Sequence, residues 1–155
     1  MNHRERVLAA LRHQEPDRVP LDFGGIVDST ISAFSYQALR KLLGLPPTVT
    51  RVQDVYQYTA VVEEDVRRAL GIDTRPVLDG PVAWRRGELP DGSPAEFPSR
   101  FRPQRQADGA QVVLDAAGTV VLKMPAGGLY FDPVSSPLAG ARTAADVERH
   151  LDAIA

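Results

Sequence analysis

The chain contains no cysteine. That absence excludes a disulfide framework, a Cys-ligated zinc or iron–sulfur site and a cysteine nucleophile within these residues. Charge of one sign is not in surplus either. The 18 Lys and Arg against 20 Asp and Glu leave a formal net charge of -2, whereas a nucleic-acid-binding surface usually needs a basic excess. No run of about 18 apolar residues occurs, so no helix is expected to span a membrane. Met1-Asn2-His3-Arg4-Glu5-Arg6 alternates in charge instead of leading into an apolar stretch, which is not the pattern of a signal peptide. At 155 residues, 43% hydrophobic and 25% charged, the composition fits a soluble globular domain, expected in the cytoplasm.

Glycine and proline are plentiful, 12 and 13 residues, and most of them fall between Asp79 and Gly140. Helical patterns are left to the first half and to the last dozen residues. Asn2 and Glu5 form a capping-box pair that predicts an opening helix with Val7, Ala10 and Leu11 on its apolar face, ended by Pro16. Val19, Leu21 and Phe23 alternate with Pro20 and Asp22 and predict a strand, left sharply at Gly24-Gly25. A second helix is expected from near Ser35, with Tyr36, Leu39, Leu42 and Leu43 on one face and Gly44 at its C-terminal cap. Val52, Val55, Thr59, Val62, Val66 and Ala69 recur at spacings of three and four. They predict a third helix closed by Gly71, with Glu63, Glu64, Arg67 and Arg68 outside the apolar stripe. Ile72 to Leu78 reads as extended. The order helix, strand, helix, helix, strand suits an α/β protein with parallel strands.

From Asp79 the prolines at 81, 90, 94, 98 and 103 are expected to interrupt regular elements, with turns at Gly80, Gly87 and Gly92. Gln111–Leu114 and Thr119–Leu122 flank Asp115-Ala116-Ala117-Gly118, a tetrad that fits a type I turn and predicts an antiparallel hairpin. Thr143 and Asp146 form a second capping-box pattern for a final helix with Val147, Leu151 and Ile154 on its apolar face, and no terminator precedes Ala155. The expected organisation is therefore 1–78 as helix and first βα units, 79–140 as Pro/Gly-rich loop and hairpin, and 141–155 as helix.

Two blocks carry a resemblance. Arg4-Glu5-Arg6-Val7-Leu8-Ala9-Ala10-Leu11-Arg12-His13 is followed by Glu15-Pro16-Asp17-Arg18-Val19-Pro20 and a segment ending Phe23-Gly24-Gly25. Further on, Gly128-Leu129-Tyr130-Phe131-Asp132 precedes Ser136-Pro137-Leu138-Ala139 and a T-x-x-D helix. In letters, order and separation these blocks resemble the uroporphyrinogen decarboxylase superfamily, above all its methyltransferase-like branch. The resemblance implies a TIM (β/α)8 barrel of which this chain covers the N-terminal part, with a β-hairpin excursion. A closed barrel needs at least about 200 residues, so the barrel is incomplete in this chain.

By the same resemblance, the complete protein would move a methyl group between a corrinoid on a partner protein and a thiol or other acceptor, with zinc stabilising the thiolate. The implied partners are a complementary C-terminal barrel half or a second copy of the chain, and a corrinoid protein, with no nucleic acid and no membrane. The family's zinc ligands lie later in the barrel, so no metal site is placed here. The tetrapyrrole decarboxylases of the superfamily carry an R-Q-A-G-R segment after the first strand. Here Gly24–Thr30 stands in that place without an arginine, which argues against a tetrapyrrole substrate bound through bidentate arginines. Outside enzymology, the chain reads as an interaction or scaffold module, or as a truncated remnant, presenting unpaired strand edges to a partner.

No catalytic residue is assigned. The pocket candidates are Asp22, Gly24, Gly25, Asp28 and Ser29, because barrel enzymes gather substrate-contacting groups at strand C-termini. Asp22 reads either as such a group or as the solvent-facing member of an alternating strand. Gly24 and Gly25 serve either a close ligand approach or a plain turn, and Asp28 and Ser29 either a polar substrate or ordinary loop capping. His3, His13 and His150 lack ligand spacing and are expected at the surface, and Tyr130 and Phe131 in the core. Arg100, Arg102 and Arg105 around Phe101 read either as a basic cluster that docks an anionic partner or ligand tail or, the favoured reading, as a solvated loop.

Overall fold

The computed structural model describes residues 1–77, 83–136 and 138–154, with side chains as far as Arg149. Expectations that fall on Leu78, Asp79, Gly80, Pro81, Pro137 and Ala155, or on the side chains of His150, Leu151 and Ile154, lie outside the described residues. The architecture is mixed α/β and divides into two compact units, Met1–Phe101 and Arg102–Ala155.

In the first unit, helix α1 (His3–Leu11) starts at the expected cap. The Glu5 N–H donates to Asn2 Oδ1 at 2.9 Å, and the Asn2 N–H donates to Glu5 Oε2 at 3.0 Å. Its buried face is not the expected one. Arg6 and Ala9 are buried, whereas Leu11 is 71% exposed. The helix ends at Leu11, well before Pro16, and His13 adopts a left-handed φ of 57° that breaks the repeat. Helix α2 (Ala33–Leu42) closes at Gly44, whose φ of 69° lets the Leu45 N–H reach back to Arg40 O at 2.9 Å and the Gly44 N–H to Lys41 O at 3.1 Å. Tyr36 is fully buried as expected, but Leu42 is 83% exposed and Arg40 takes the inward position. The Arg40 guanidinium reaches Glu63 at 2.7 Å and Asp65 at 2.7 and 2.9 Å, and the Glu63 N–H donates to Tyr36 Oη at 2.8 Å.

The third expected helix is mostly a hairpin. Strand β1 (Thr50–Asp54) pairs antiparallel with β2 (Thr59–Ala60), and only Glu64–Leu70 forms helix α3, closed as expected by Gly71 at a φ of 66°. The segment 50–62 is rich in β-branched and aromatic side chains, which favour a pleated surface over a helix. The Asp54 carboxylate accepts from the N–H groups of Tyr56 at 3.2 Å and Gln57 at 2.9 Å, a local turn that competes with helical bonding. Arg67, expected outside the apolar stripe, is buried.

A second hairpin lies in the stretch expected to be irregular. Strands β3 (Trp84–Glu88) and β4 (Pro94–Pro98) pair antiparallel, and β4 runs parallel to β1, so the sheet order is β2-β1-β4-β3. Pro94 and Pro98 sit at the strand ends, where a missing N–H costs no interior ladder bond. Pro90, Asp91 and Gly92 form the connecting turn. Gly92 has a φ of 82°, and Asp91 accepts from the Ser93 N–H at 2.9 Å. Gly87 passes under Phe97, whose ring would lie 3.1 Å from a Cβ at that position. The core of this unit includes an aromatic file, Phe34–Tyr58–Phe97–Phe101, with ring centroids 5.8 to 6.0 Å apart, and the buried Val52, Ala60 and Val66.

Neither expected barrel strand has a β-ladder. Residues 19–23 and 72–77 lie outside the sheets, and no closed barrel forms among the described residues.

The second unit is an antiparallel meander, β5 (Gln104–Arg105), β6 (Gln111–Leu114), β7 (Val120–Met124) and β8 (Asp132–Pro133), followed by helix α4 (Ala144–Ile154). The β6–β7 turn is the expected one. Gly118 has a φ of 82°, its N–H donates to Asp115 O at 3.1 Å, and Asp115 Oδ1 accepts from Ala117 and Thr119. Val112, Leu122, Met124 and Phe131 form its core, while Tyr130 is exposed, contrary to expectation. The α4 capping box is present, the Thr143 N–H donating to Asp146 Oδ2 at 2.9 Å.

Phe97 stands in the middle of the aromatic file. Phe97→Ala should cost about 3–5 kcal/mol of stability, read from urea unfolding followed by the fluorescence of Trp84. A loss under about 1 kcal/mol would show that the file is not the core.

Candidate functional site

The pocket candidates lie where the segments 17–30 and 71–75 meet. The junction is organised by Asp73, whose side chain has 0% exposure. A buried carboxylate is tolerated only when paired, and Asp73 has several partners. Arg6 Nη1 donates to Oδ1 at 2.7 Å, Arg18 Nη1 to Oδ2 at 2.7 Å, and the Leu21 N–H to Oδ2 at 2.8 Å. His3 Nδ1 lies 2.7 Å from Oδ1. Arg6 also grips Asp17 through Nε at 2.6 Å and Nη2 at 2.8 Å. Burial alone would raise the Asp73 pKa. The Leu21 N–H, His3, Arg18 and Arg6 outweigh it and hold this carboxyl well below the usual range. Asp17 is lowered too, by Arg6 and by the N-terminal ammonium.

These bonds lay the two segments side by side. The Leu21 N–H donates to the Asp73 carboxylate and the Asp73 N–H returns to Leu21 O, both at 2.8 Å. One residue further along each segment, the Thr74 hydroxyl donates to Asp22 Oδ1. Numbers rise together along the two segments, which is the sense of a parallel pair.

Arg67, from α3, closes the junction. Its Nε donates to Val62 O at 3.0 Å, Nη2 to Gly24 O at 3.0 Å, and Nη1 to Thr74 O at 3.1 Å and Phe23 O at 3.4 Å. Gly24 is buried here at a φ of 76°. A Cβ would lie 2.6 Å from Val62 Cγ2 and 3.3 Å from Arg67 Nη2. Gly24 therefore packs against Val62 and Arg67. At Gly25 a Cβ would overlap the Asp22 carboxylate.

The Asp22 carboxylate accepts from the Thr74 hydroxyl, with Ser29 and the Gly25 backbone close by. Together they outweigh the upward push of partial burial and keep its pKa below the ordinary value. The Thr74 bond ties the 22–29 loop to the segment after α3. Ser29 belongs to the same turn. Its backbone carbonyl accepts from the Gly24 N–H at 2.8 Å, and its Oγ accepts from the Ile26 N–H at 3.1 Å. Asp28 stands apart, exposed on a single 3-10 turn (Val27–Ser29), and makes no hydrogen bond among the described residues. Four of the five candidates are thus brought together and one is not.

The residues that matter most here were not singled out in the sequence: Arg67, Asp73 and Thr74. Their sequence signal is slight: an Asp-Thr-Arg run between Ile72 and Pro76, just after a helix-closing glycine. His3 and His13 are exposed as expected, although His3 touches Asp73. Arg100, Arg102 and Arg105 are exposed and Phe101 is buried. Among the described residues, no group of three His, Cys, Asp or Glu side chains could hold a metal ion. No described helix is long and apolar enough to cross a membrane.

No family model, no curated protein and no solved structure matches this chain.

Asp73→Ala leaves two guanidinium groups without their shared anion and should cost about 3 kcal/mol or more at pH 7. The pH dependence follows from the depressed carboxyl. Its contribution is complete above the ordinary carboxylate value of about 4 and is lost as pH falls from there toward the lower folded value. Urea midpoints at pH 7 and pH 3 should therefore fall less steeply for Asp73→Ala than for the wild type. Equal slopes would remove Asp73 from its organising role.

Proposed function

We propose that the chain is the N-terminal segment of a protein of the uroporphyrinogen decarboxylase superfamily, of the corrinoid-dependent methyltransferase-like type. In this reading it supplies the first βα units of a TIM barrel together with a substrate-side loop, Asp22–Ser29. The remaining barrel units come from elsewhere, whether in the same polypeptide or in a partner. The observation that supports the reading is that Leu21 meets Asp73 and Asp22 meets Thr74, two contacts that step in the same direction along both segments. These are the two segments that the resemblance makes neighbouring barrel strands, and parallel strands next to one another are what a barrel requires.

Their outer sides also support it. Val19, Leu21 and Val77 are exposed, as are Ile26 and Val27 on the loop. Apolar side chains along unpaired backbone suit the addition of further strands. The absence of arginine from Gly24–Thr30 continues to disfavour a tetrapyrrole substrate. Zinc and a corrinoid would be held outside the described residues.

The test is reconstitution. The chain is mixed with a polypeptide bearing the remaining barrel units of a superfamily methyltransferase, and methyl transfer from methylcobalamin to a thiol is followed alongside sedimentation. A one-to-one complex with turnover that neither part shows alone is expected. A cleanly monomeric chain that forms no complex and unfolds cooperatively by itself would favour a free-standing module and overturn the proposal.

A further inference from the structure

Beside α3 the first unit has a cavity of about 390 Å³, lined in part by Glu64, Arg67, Arg68, Thr74 and Arg75. A volume of that order is in the range of small-molecule sites. Three guanidinium groups face it against one available carboxylate, because the charge of Asp73 is already taken up by Arg6 and Arg18. That one carboxylate, Glu64, is shared. Arg75 grips it with two contacts, at 2.7 and 2.8 Å, and Arg68 adds a longer bond from Nε at 3.2 Å.

Donors are therefore in excess. Arg68 donates only to Glu64 among the described residues, and Arg67 meets only backbone carbonyls. The surplus positive charge is felt locally: after burial itself, Arg75 is the largest influence drawing the Arg67 pKa down. The side chains of Arg68 and Arg75 are 77% and 72% exposed, so both can swing toward a ligand at little cost.

We propose that this cavity binds a small phosphate-bearing molecule, with the phosphate between Arg68 and Arg75. A phosphate brings up to two negative charges and several acceptor oxygens to donors that one carboxylate leaves partly unused. Arg67, fixed by its carbonyl partners, supplies a positive wall that does not have to reorganise. Glu64 is the internal competitor that the phosphate displaces. The argument uses only the charges and geometry of Glu64, Arg67, Arg68 and Arg75, so its test does not depend on the barrel reading.

The experiment titrates the full chain with inorganic phosphate, and separately with succinate and with chloride, at constant ionic strength. It follows the arginine Nε–Hε NMR signals. Phosphate should shift the Arg68 and Arg75 signals saturably, and more tightly than succinate does. The double substitution R68A/R75A should weaken binding by roughly tenfold or more, and Glu64→Gln should tighten it several-fold. Both arginines are exposed, so an unchanged thermal transition in R68A/R75A confirms the fold. Succinate binding as tightly as phosphate, chloride reproducing the shifts, or unaltered affinity in R68A/R75A would each overturn the proposal.

Discussion

A carboxylate removed from water must be surrounded by donors, and Asp73 imposes that requirement on much of the first unit. Its partners come from two places in the chain: His3 and Arg6 on α1, and Arg18 and Leu21 on the segment that follows it. Because Arg6 must point inward to reach it, α1 packs on its Arg6–Ala9 face, and Leu11 on the other side is left in water. The gain in stability from such a cluster is modest once desolvation is counted. Its larger effect is positional, since the main chain at Leu21 can meet Asp73 in one register only, and that register sets every later contact between the two segments.

Arg67 complements this arrangement with the opposite charge. Asp73 is an anion among cations, whereas Arg67 is a cation among carbonyl oxygens from Val62, Phe23, Gly24 and Thr74. A planar guanidinium with five donors can tie several strands of backbone together without a partner anion. The close packing of Gly24 against Val62 leaves no room for a side chain at that point. Asp73 thus fixes the start of the paired segments and Arg67 their far end, with Asp22, Thr74 and Ser29 filling the space between.

What could be read from the sequence was whatever depends on local chemistry. The two capping boxes, the glycines closing α2 and α3, and the Asp115–Gly118 turn all involve residues within a few positions of one another, and all appear where expected. The failures share one cause, which is that tertiary context decided. Val52, Val55, Thr59 and Val62 satisfy helical spacing, but their β-branched side chains, an Asp54 turn and a free edge on β4 make β1 and β2 the better solution. Pro90, Pro94 and Pro98 look like breakers when taken singly, yet they stand at the turn and the ends of a hairpin. The loop from Asp22 to Ser29 was legible as a cluster. Its fastening to Thr74 and Arg67, some 40 to 50 residues away, was not, because nothing in the letters records which distant donor an aspartate will meet.

The same reasoning bears on what the resemblance can carry. Arg6, Asp17 and Arg18 are among the most distinctive letters of the N-terminal block, and all three spend their charges on each other and on Asp73. Their chemistry is consumed by the fold. A likeness built on such residues speaks for architecture, the laying of one segment beside another, and says little about a reaction. Asp22, the most reactive-looking residue of the loop, is likewise held ionised by its neighbours. Any chemistry at this end of the chain must then rest on groups with donors or acceptors to spare. Among the described residues, such groups include the exposed Asp28 on the loop and Arg68 beside the cavity.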